Sequence, residues 1–458
     1  MISGRDNEIL TRVGPDTPMG RTMRRYWLPV CTSAQLPEPD SRPLRVALLG
    51  EAFVAFRDSR GRVGLLDEFC MHRRASLALG RVEKNGIRCL YHGWKFGVDG
   101  AVHETPNHPD PRLREGLRAP AYPVREAGGL VWAYIGPKDK EPPFQRYAFM
   151  DGPEANRVVL RINTAANWLQ LYEGGTDSSH VGILHSNRAN PGWLTDSFVR
   201  SGEDYNPGAL AVADNAPVLD VEATEYGYHY VAKRRGPPRP DGAETWSIRV
   251  TPVIFPCGRI IPAPAFQFYV FEVPQHDWKT STYLICHGTQ PIDRASMINL
   301  MGLDDARFWN EWDCEFRASW NNGMNQDRDR MHENWSGFSG IEQEDAVIAV
   351  SMGPVVDRTK EYLVAADQAV VYLRRRLLDS VHRVEGGGDR IGVSIADYTQ
   401  LRAGRHRHRP DNALVGCDAK SSRRQTGRIV PGLRDHRLAC QRHVRRPRGS
   451  LMRRQAAC

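Results

Sequence analysis

Two separated sets of metal-ligating residues define what this chain can do. The first is Cys70-Met71-His72, then sixteen residues, then Cys89-Leu90-Tyr91-His92. Two thiolates suit one iron of a sulfide-bridged pair. Two neutral imidazoles on the other iron leave less negative charge on the cluster and raise its reduction potential. Cys70 and Cys89 are therefore assigned to one iron, and His72 and His92 to the other. Each motif carries a Cys and a His on one tight loop, so two loops grip the cluster from both sides. Gly93 and Trp94 follow directly; Gly lets the backbone approach closely, and Trp shields the cluster from water. The competing reading is a structural Cys2His2 zinc site. A zinc finger pairs Cys with Cys and His with His along the chain, whereas both halves here are mixed.

The second set is Asp177-Ser178-Ser179-His180, four residues, then His185. Two His and one carboxylate hold ferrous iron on one face and leave positions open for oxygen and substrate. Five residues advance an ideal helix about 140° past a full turn. The two rings share a face only if the helix is distorted or ends near Gly182. Asp177 is one candidate carboxylate; it could instead lie behind a ligand and link cluster to iron by hydrogen bonds. Asp345, in Glu342-Gln343-Glu344-Asp345, is the other, and could equally be a carboxylate favoured by a helix N-terminus.

The elements that must position these residues fall into an α+β arrangement. Residues 5–26 read as helical with a break at Gly14-Pro15. From 43 to 135, strand-length apolar runs alternate with turn signals such as Val98-Asp99-Gly100 and Glu126-Ala127-Gly128-Gly129. The Pro-rich segment 136–143 reads as a linker, which puts boundaries at 1–138, 139–400 and 401–458. Beyond it come Arg157–Ile162 as a strand, helical periodicity from Asn167 to Ser186, further strands as far as Cys286, and an amphipathic helix from Glu361 to Val384 stopped by Gly386-Gly387-Gly388.

The net charge of +8 is a property of the tail: residues 401–458 hold 16 Lys and Arg against 3 Asp and Glu, and the preceding 400 hold 46 against 51. A mildly acidic body argues against nucleic acid as partner. The tail reads as a basic arm, as disorder, or as sequence carried past a lost reading frame near Gly404, and no function is built on it. The other seven of the nine cysteines read as buried thiols or tail residues. No apolar run reaches the roughly 18 residues of a membrane span. The charged N-terminus lacks the apolar core of a signal peptide, so a cytoplasmic protein is expected.

Leu10–Pro15, Arg25–Val30, Tyr91-His92-Gly93-Trp94-Lys95-Phe96, and Asn167-Trp168-Leu169-Gln170 through His185 resemble Rieske non-heme iron oxygenases, most of all the phthalate 4,5-dioxygenase oxygenase-component group. The resemblance runs from about residue 5 to 400. It implies an N-terminal Rieske [2Fe-2S] β domain followed by a START-like helix-grip catalytic domain with a mononuclear Fe(II) site. It also implies head-to-tail trimers, alone or stacked, in which one subunit's cluster feeds its neighbour's iron. It places Asp177 as the bridge at that interface and Asp345 as third iron ligand. Met71 stands where the family commonly has Pro.

The implied cycle takes electrons from NAD(P)H through a separate flavin and iron–sulfur reductase to activate O2 beside an aromatic ring. The product is a cis-dihydrodiol or, from a methoxy group, a phenol and formaldehyde. An aromatic acid needs a cation in a dry pocket. Arg249, on a strand, is the candidate anchor, with Arg200 and Arg235 as weaker alternatives. Two rival classes are an electron-transfer Rieske protein with a non-catalytic second domain, and a zinc-dependent nucleic-acid-binding protein using the tail.

Overall fold

The computed structural model describes residues 2–108, 110–186, 214–236, 242, 244–263 and 265–408. Two short helices open the chain: α1 (Gly4–Thr11), capped by the Ser3 hydroxyl, and α2 (Pro18–Met23), capped by Thr17. Hydroxyl caps satisfy free amides at a helix start, and Pro in a first turn has no amide to satisfy. The expected Gly14-Pro15 break lies between them.

A β-rich part follows, with β1 (Leu28–Thr32), β2 (Leu44–Leu48), β3 (Glu51–Arg57), β4 (Val63–Asp67), β5 (Arg81–Glu83), β6 (Gly86–Arg88), β7 (Lys95–Phe96), β8 (Val102–Glu104), β9 (Ala121–Tyr122), β10 (Val124–Ala127) and β11 (Leu130–Ala133). They form three sheets, in the orders β2-β3-β4-β9, β5-β6-β7-β8 and β1-β11-β10. The β10–β11 hairpin turns on Gly128 and Gly129, at φ +66° and +79°, a two-residue turn that glycine enters without strain. Val54, Phe56, Leu66, Ile87 and Phe96 make a small core that includes Cys70 and Cys89.

The Pro-rich segment 136–143 is packed rather than loose. Trp27 Nε1 donates to the Pro142 carbonyl at 3.1 Å, and Tyr134 OH to the Pro137 carbonyl at 2.8 Å. Trp132 meets Phe271 edge-on at 5.4 Å, and one apolar core runs from Leu10 into the second part of the chain.

There β12 (Arg146–Tyr147) precedes β13 (Arg157–Thr164), β14 (Val218–Thr224), β15 (Gly227–Gly236), β16 (Thr245–Ile254), β17 (Gly258–Pro262), β18 (Phe266–His276), β19 (Lys279–Gly288) and β20 (Asp397–Tyr398). An antiparallel sheet runs β13-β19-β18-β17-β16-β15-β14. A last strand, β21 (Gly404–His408), pairs with β16 from Val250↔Gly404 to Trp246↔His408. Of the three readings of the tail, disorder does not describe residues 404–408, because the edge of β16 takes up that backbone. Residues 409–458, with the rest of the basic tail, lie outside the described residues.

Among the described residues the helices here are α3 (Arg112–Glu115) in the β-rich part and α4 (Trp168–Thr176), α5 (Arg294–Met301), α6 (Ile341–Ser351) and α7 (Gln368–Glu385) in the second. Tyr228 OH donates to the Ala369 carbonyl of α7 at 3.1 Å, and Tyr172 OH of α4 lies 3.1 Å from the Ile254 and Gly258 carbonyls. The sheet thus grips both helices, the START-like arrangement. Helix α7 begins seven residues later than Glu361. Asp367 accepts the Val364 amide at 2.7 Å, closing a tight turn ahead of the helix, and the Glu361 carboxylate reaches Arg374 at 2.6 Å, so these residues serve a turn and an ion pair instead. Among the described residues no helix is long and apolar enough to cross a membrane.

Near the C-terminal end of α4, buried Glu173 accepts from Arg358 Nε at 3.0 Å and Arg374 Nε at 2.6 Å. Removing one partner of a buried ion pair strands the other charges, which costs about 3–5 kcal/mol. Glu173→Gln is expected to lower unfolding free energy by about that amount in denaturant titration; a loss below about 1 kcal/mol, the surface-pair range, would contradict the buried-network reading.

Candidate active site

The two cysteine loops are built alike. Cys70 N donates to Ala75 O at 2.9 Å and Arg74 N to Cys70 O at 2.8 Å; Cys89 N donates to Trp94 O at 2.8 Å and Gly93 N to Cys89 O at 3.0 Å. The fourth residue after each Cys has positive φ, +60° at Arg74 and +73° at Gly93. Both loops thus curl back on their cysteine and present the His between.

The rings of His72 and His92 are 4.6 Å apart, and Trp94 stacks on His72 at 4.9 Å. Trp94 Nε1 is fixed by Asn107 Oδ1 at 2.8 Å. Arg88, paired with Glu83 and Glu104, donates to the Gly93 carbonyl at 2.8 Å and braces the second loop. The cysteines are buried, while Leu90 and Tyr91 beside His92 are exposed, so the imidazole end faces the surface.

The residues fit a [2Fe-2S] cluster. Buried His92 Nδ1 has no hydrogen-bond partner among the described residues, as a metal-facing nitrogen would not. Burial pushes the Cys70 thiol up to about 11, and the adjoining Cys89 adds to this. A thiol so hard to ionise becomes a thiolate only against a cation.

The second set converges as well. Helix α4 stops at Thr176, and His180–Gly182 is a single 3-10 turn. The carboxylate of Asp177 caps that turn: Oδ1 accepts from Ser179 N at 2.8 Å and Ser179 Oγ at 2.9 Å, and Oδ2 lies 3.1 Å from His180 Nδ1. Burial opposes the charge on Asp177, but the bonds from His180 and Ser179 outweigh it and hold the carboxyl well below the usual range. The rotation that set His180 and His185 on different faces applies to a continuous helix; with the helix ended, the rings stand 5.0 Å apart at 79°.

Helix α6 brings Asp345, whose Oδ1 is 3.2 Å from His185 Nε2 and 3.7 Å from His180 Nε2. One ligand atom from each of His180, His185 and Asp345 lies within 4.8 Å of the others. Burial disfavours a charge on His185, yet Asp345 and Glu344 raise its pKa to about 10. A site that draws in a proton so strongly suits a divalent cation, and the donor set is that of ferrous iron. Of the two candidate carboxylates, Asp345 faces both imidazoles at Nε2, while Asp177 contacts His180 from behind.

Arg249 lies on β16, half-buried, with Nη2 3.2 Å from Tyr230 OH and Nε 3.3 Å from Thr251 Oγ1. Beside it on β15 is buried Arg234, whose Nη2 donates to Ser178 O at 2.5 Å, inside the Asp177–His180 turn. Burial, and then Arg249, lower the Arg234 pKa to about 10. Arg235 is exposed, over Trp246 at 5.8 Å, and is not brought to the site. Arg200 lies outside the described residues. Sequence reasoning missed Arg234 and Glu344; Glu344 stood in the acidic run with Asp345, but nothing in that run distinguishes its carboxylates.

The Rieske [2Fe-2S] domain profile matches residues 26–123, and the profile described as LigXa C-terminal domain like matches residues 133–403. The chain is 37% identical to the phthalate 4,5-dioxygenase oxygenase subunit of Pseudomonas putida, over 86% of this chain and 89% of the relative. It is 33% identical to the 3-chlorobenzoate-3,4-dioxygenase oxygenase subunit of Comamonas testosteroni (88% and 95% covered). It is 30% identical to a 5,5'-dehydrodivanillate O-demethylase oxygenase subunit of Sphingobium (85% and 82% covered). In fold it is similar to dicamba monooxygenase bound to dicamba, with TM-score 0.53 and 17% identity, covering 80% of this chain and 99% of that one. With a Rieske domain, a LigXa-like catalytic domain and these relatives, the chain belongs to the Rieske non-heme iron oxygenases, as an oxygenase component.

Proposed function

We propose that this oxygenase component hydroxylates an aromatic acid, in the manner of a phthalate-type cis-dihydroxylation. The observation that carries the substrate class is the pair of guanidiniums, Arg234 and Arg249, on one face of β15 and β16 beside the His180 turn. Arg234 is engaged with Ser178, and among the described residues Arg249 meets the neutral oxygens of Tyr230 and Thr251. Arg249 thus keeps donors for an incoming carboxylate, and its charge is strongest where water is excluded.

His180, His185 and Asp345 are the residues for iron, and Cys70, His72, Cys89 and His92 those for the cluster. Bound there, the two metal groups supply one-electron transfer and O2 activation. The chain's own parts do the rest. Asp177 holds His180 by its Nδ1 proton, so Nε2 is left free to ligate, and it offers a hydrogen-bonded path toward His180. Trp94 and Tyr91 screen the imidazole end of the cluster. Arg249 orients the aromatic ring through its carboxylate.

Electrons come from a flavin and iron–sulfur reductase using NAD(P)H, which suits a cytoplasmic setting. The exposed Leu90 and Tyr91 beside His92 suit a head-to-tail trimer in which one subunit's cluster meets the next subunit's Asp177. A second reading, O-demethylation of a methoxylated aromatic acid, is favoured by the O-demethylase relative. Both consume O2, two electrons and two protons; one yields a cis-dihydrodiol, the other a phenol, formaldehyde and water.

Incubation with reductase, NADH and a panel of aromatic acids, with and without methoxy groups, tests this by product mass. A dihydrodiol supports the first reading and formaldehyde the second; turnover of neutral aromatics alone would defeat both. Arg249→Met is expected to raise KM for the acid by roughly 10–100-fold, the worth of about 1.5–3 kcal/mol for a hydrogen-bonded charge. An unchanged KM would remove Arg249 from the site.

A further inference from the structure

His185 is held at both ring nitrogens by consecutive residues of α6. Asp345 Oδ1 lies 3.2 Å from Nε2, and Glu344 Oε2 lies 2.7 Å from Nδ1. The other Glu344 oxygen accepts from the Ser336 hydroxyl. We propose that Glu344, held by Ser336, is the positioning residue of the iron site: it takes the Nδ1 proton of His185 in a hydrogen bond, fixes the tautomer with Nε2 free, and sets the ring plane. This rests on the reading that His180, His185 and Asp345 hold ferrous iron.

Three observations support it. First, Glu344 is 1% exposed and is paired with no Lys or Arg among the described residues. A buried carboxylate with no cation is costly unless its bonds repay it; here those bonds are to an imidazole and a hydroxyl.

Second, Ser336 is itself built in. Its amide donates to Asn334 Oδ1 at 3.1 Å, as does that of Gly337 at 3.0 Å, and its Oγ accepts from Phe338 N at 3.2 Å. Gly337 sits at φ +72°, and a Cβ there would meet the Asp327 carbonyl at 2.6 Å, so the loop that carries Ser336 has one path. The hydroxyl therefore has a fixed origin from which to orient Glu344.

Third, the two imidazoles are treated alike and yet differently. His180 Nδ1 faces Asp177 and His185 Nδ1 faces Glu344, but the Asp177 side chain is 22% exposed and that of Glu344 only 1%. Asp177 is open to a neighbouring group; Glu344 is sealed between His185 and Ser336. Carboxylates behind a metal-bound His raise its basicity and hold its orientation, and their removal typically costs about 10–100-fold in metal affinity.

The test uses the full chain with its cluster, stripped of mononuclear iron and titrated anaerobically with ferrous iron against a chelator. Glu344→Gln keeps the shape and loses the charge; Glu344→Ala loses both; Ser336→Ala releases Glu344. Affinity is expected to fall roughly tenfold in Glu344→Gln and up to about 100-fold in Glu344→Ala, with a smaller loss in Ser336→Ala. The cluster absorption should be unchanged, and the paramagnetic signature of cobalt substituted into the iron site should shift.

A merely structural carboxylate would lower Tm and leave affinity and that signature alone. Wild-type affinity in both Glu344→Gln and Ser336→Ala, with the cluster intact, would overturn the proposal even if Glu344→Ala does not fold. Failure of the wild-type chain to bind ferrous iron would instead bring down the iron-site reading beneath it.

Discussion

Ala at His185, or at His180, is expected to abolish oxygenation while the visible spectrum of the cluster stays as in the wild type. The separation follows from the structure. The proposed cluster residues Cys70, His72, Cys89 and His92 sit on loops of the β-rich part, braced by Arg88 and Asn107. His180 and His185 sit on the turn after α4 and face Asp345 of α6. The two sets share no ligand and no hydrogen-bonded partner among the described residues. Iron content should fall by the mononuclear ion alone, with cluster iron retained. Retained turnover in either variant would remove that His from the site, and loss of the cluster along with turnover would mean the two parts do not fold independently of the iron site.

Asp177→Asn is the second large effect. Asp177 accepts from Ser179 N, Ser179 Oγ and His180, and its ionised form is favoured by those bonds. An amide keeps the size but offers one acceptor oxygen and no charge. The turn should hold while the link to His180 weakens. Reductase-driven turnover is expected to drop about 100-fold, and ferrous iron should still bind. Rapid mixing distinguishes the causes: slow cluster reoxidation with iron present marks a broken path, whereas lost iron would mean Asp177 serves the ligand rather than the path. Turnover near the wild-type rate would deny it either role.

How legible the site was depended on distance along the chain. The cluster motif was readable because each half is local, and its mixed Cys and His order separates it from a zinc site. The His pair was readable as residues but not as geometry. Spacing on a helix put the rings on different faces, and only the end of α4 at Thr176, where Asp177 turns the chain, brings them together. The choice between Asp177 and Asp345 needed tertiary structure, since α6 arrives from 160 residues away. Glu344 was hidden for the same reason: nothing in Glu342-Gln343-Glu344-Asp345 tells which carboxylate meets which nitrogen.

Elsewhere the misses have the same origin. Gly404–His408 has the composition of a basic tail, and its strand exists because β16 offers an edge. Glu361 continues the helical periodicity of α7 but is drawn off to Arg374. The polar, Pro-rich 136–143 reads as a tether, yet its carbonyls accept from Trp27 and Tyr134.

Electrons stored at the β-rich part are expected to be consumed at the site of His180, His185 and Asp345. The direct measurement is a single turnover without reductase. The chain is reduced chemically under anaerobic conditions, freed of reductant, and mixed with O2 and an aromatic acid, while the paramagnetic signal of the reduced cluster and the product are followed together. A Rieske-type signal is expected to decay as product forms in the wild type, and to persist without product in His185→Ala on the same timescale. Absence of that signal from the reduced wild-type chain, or its decay at the wild-type rate with product formed in His185→Ala, would contradict it.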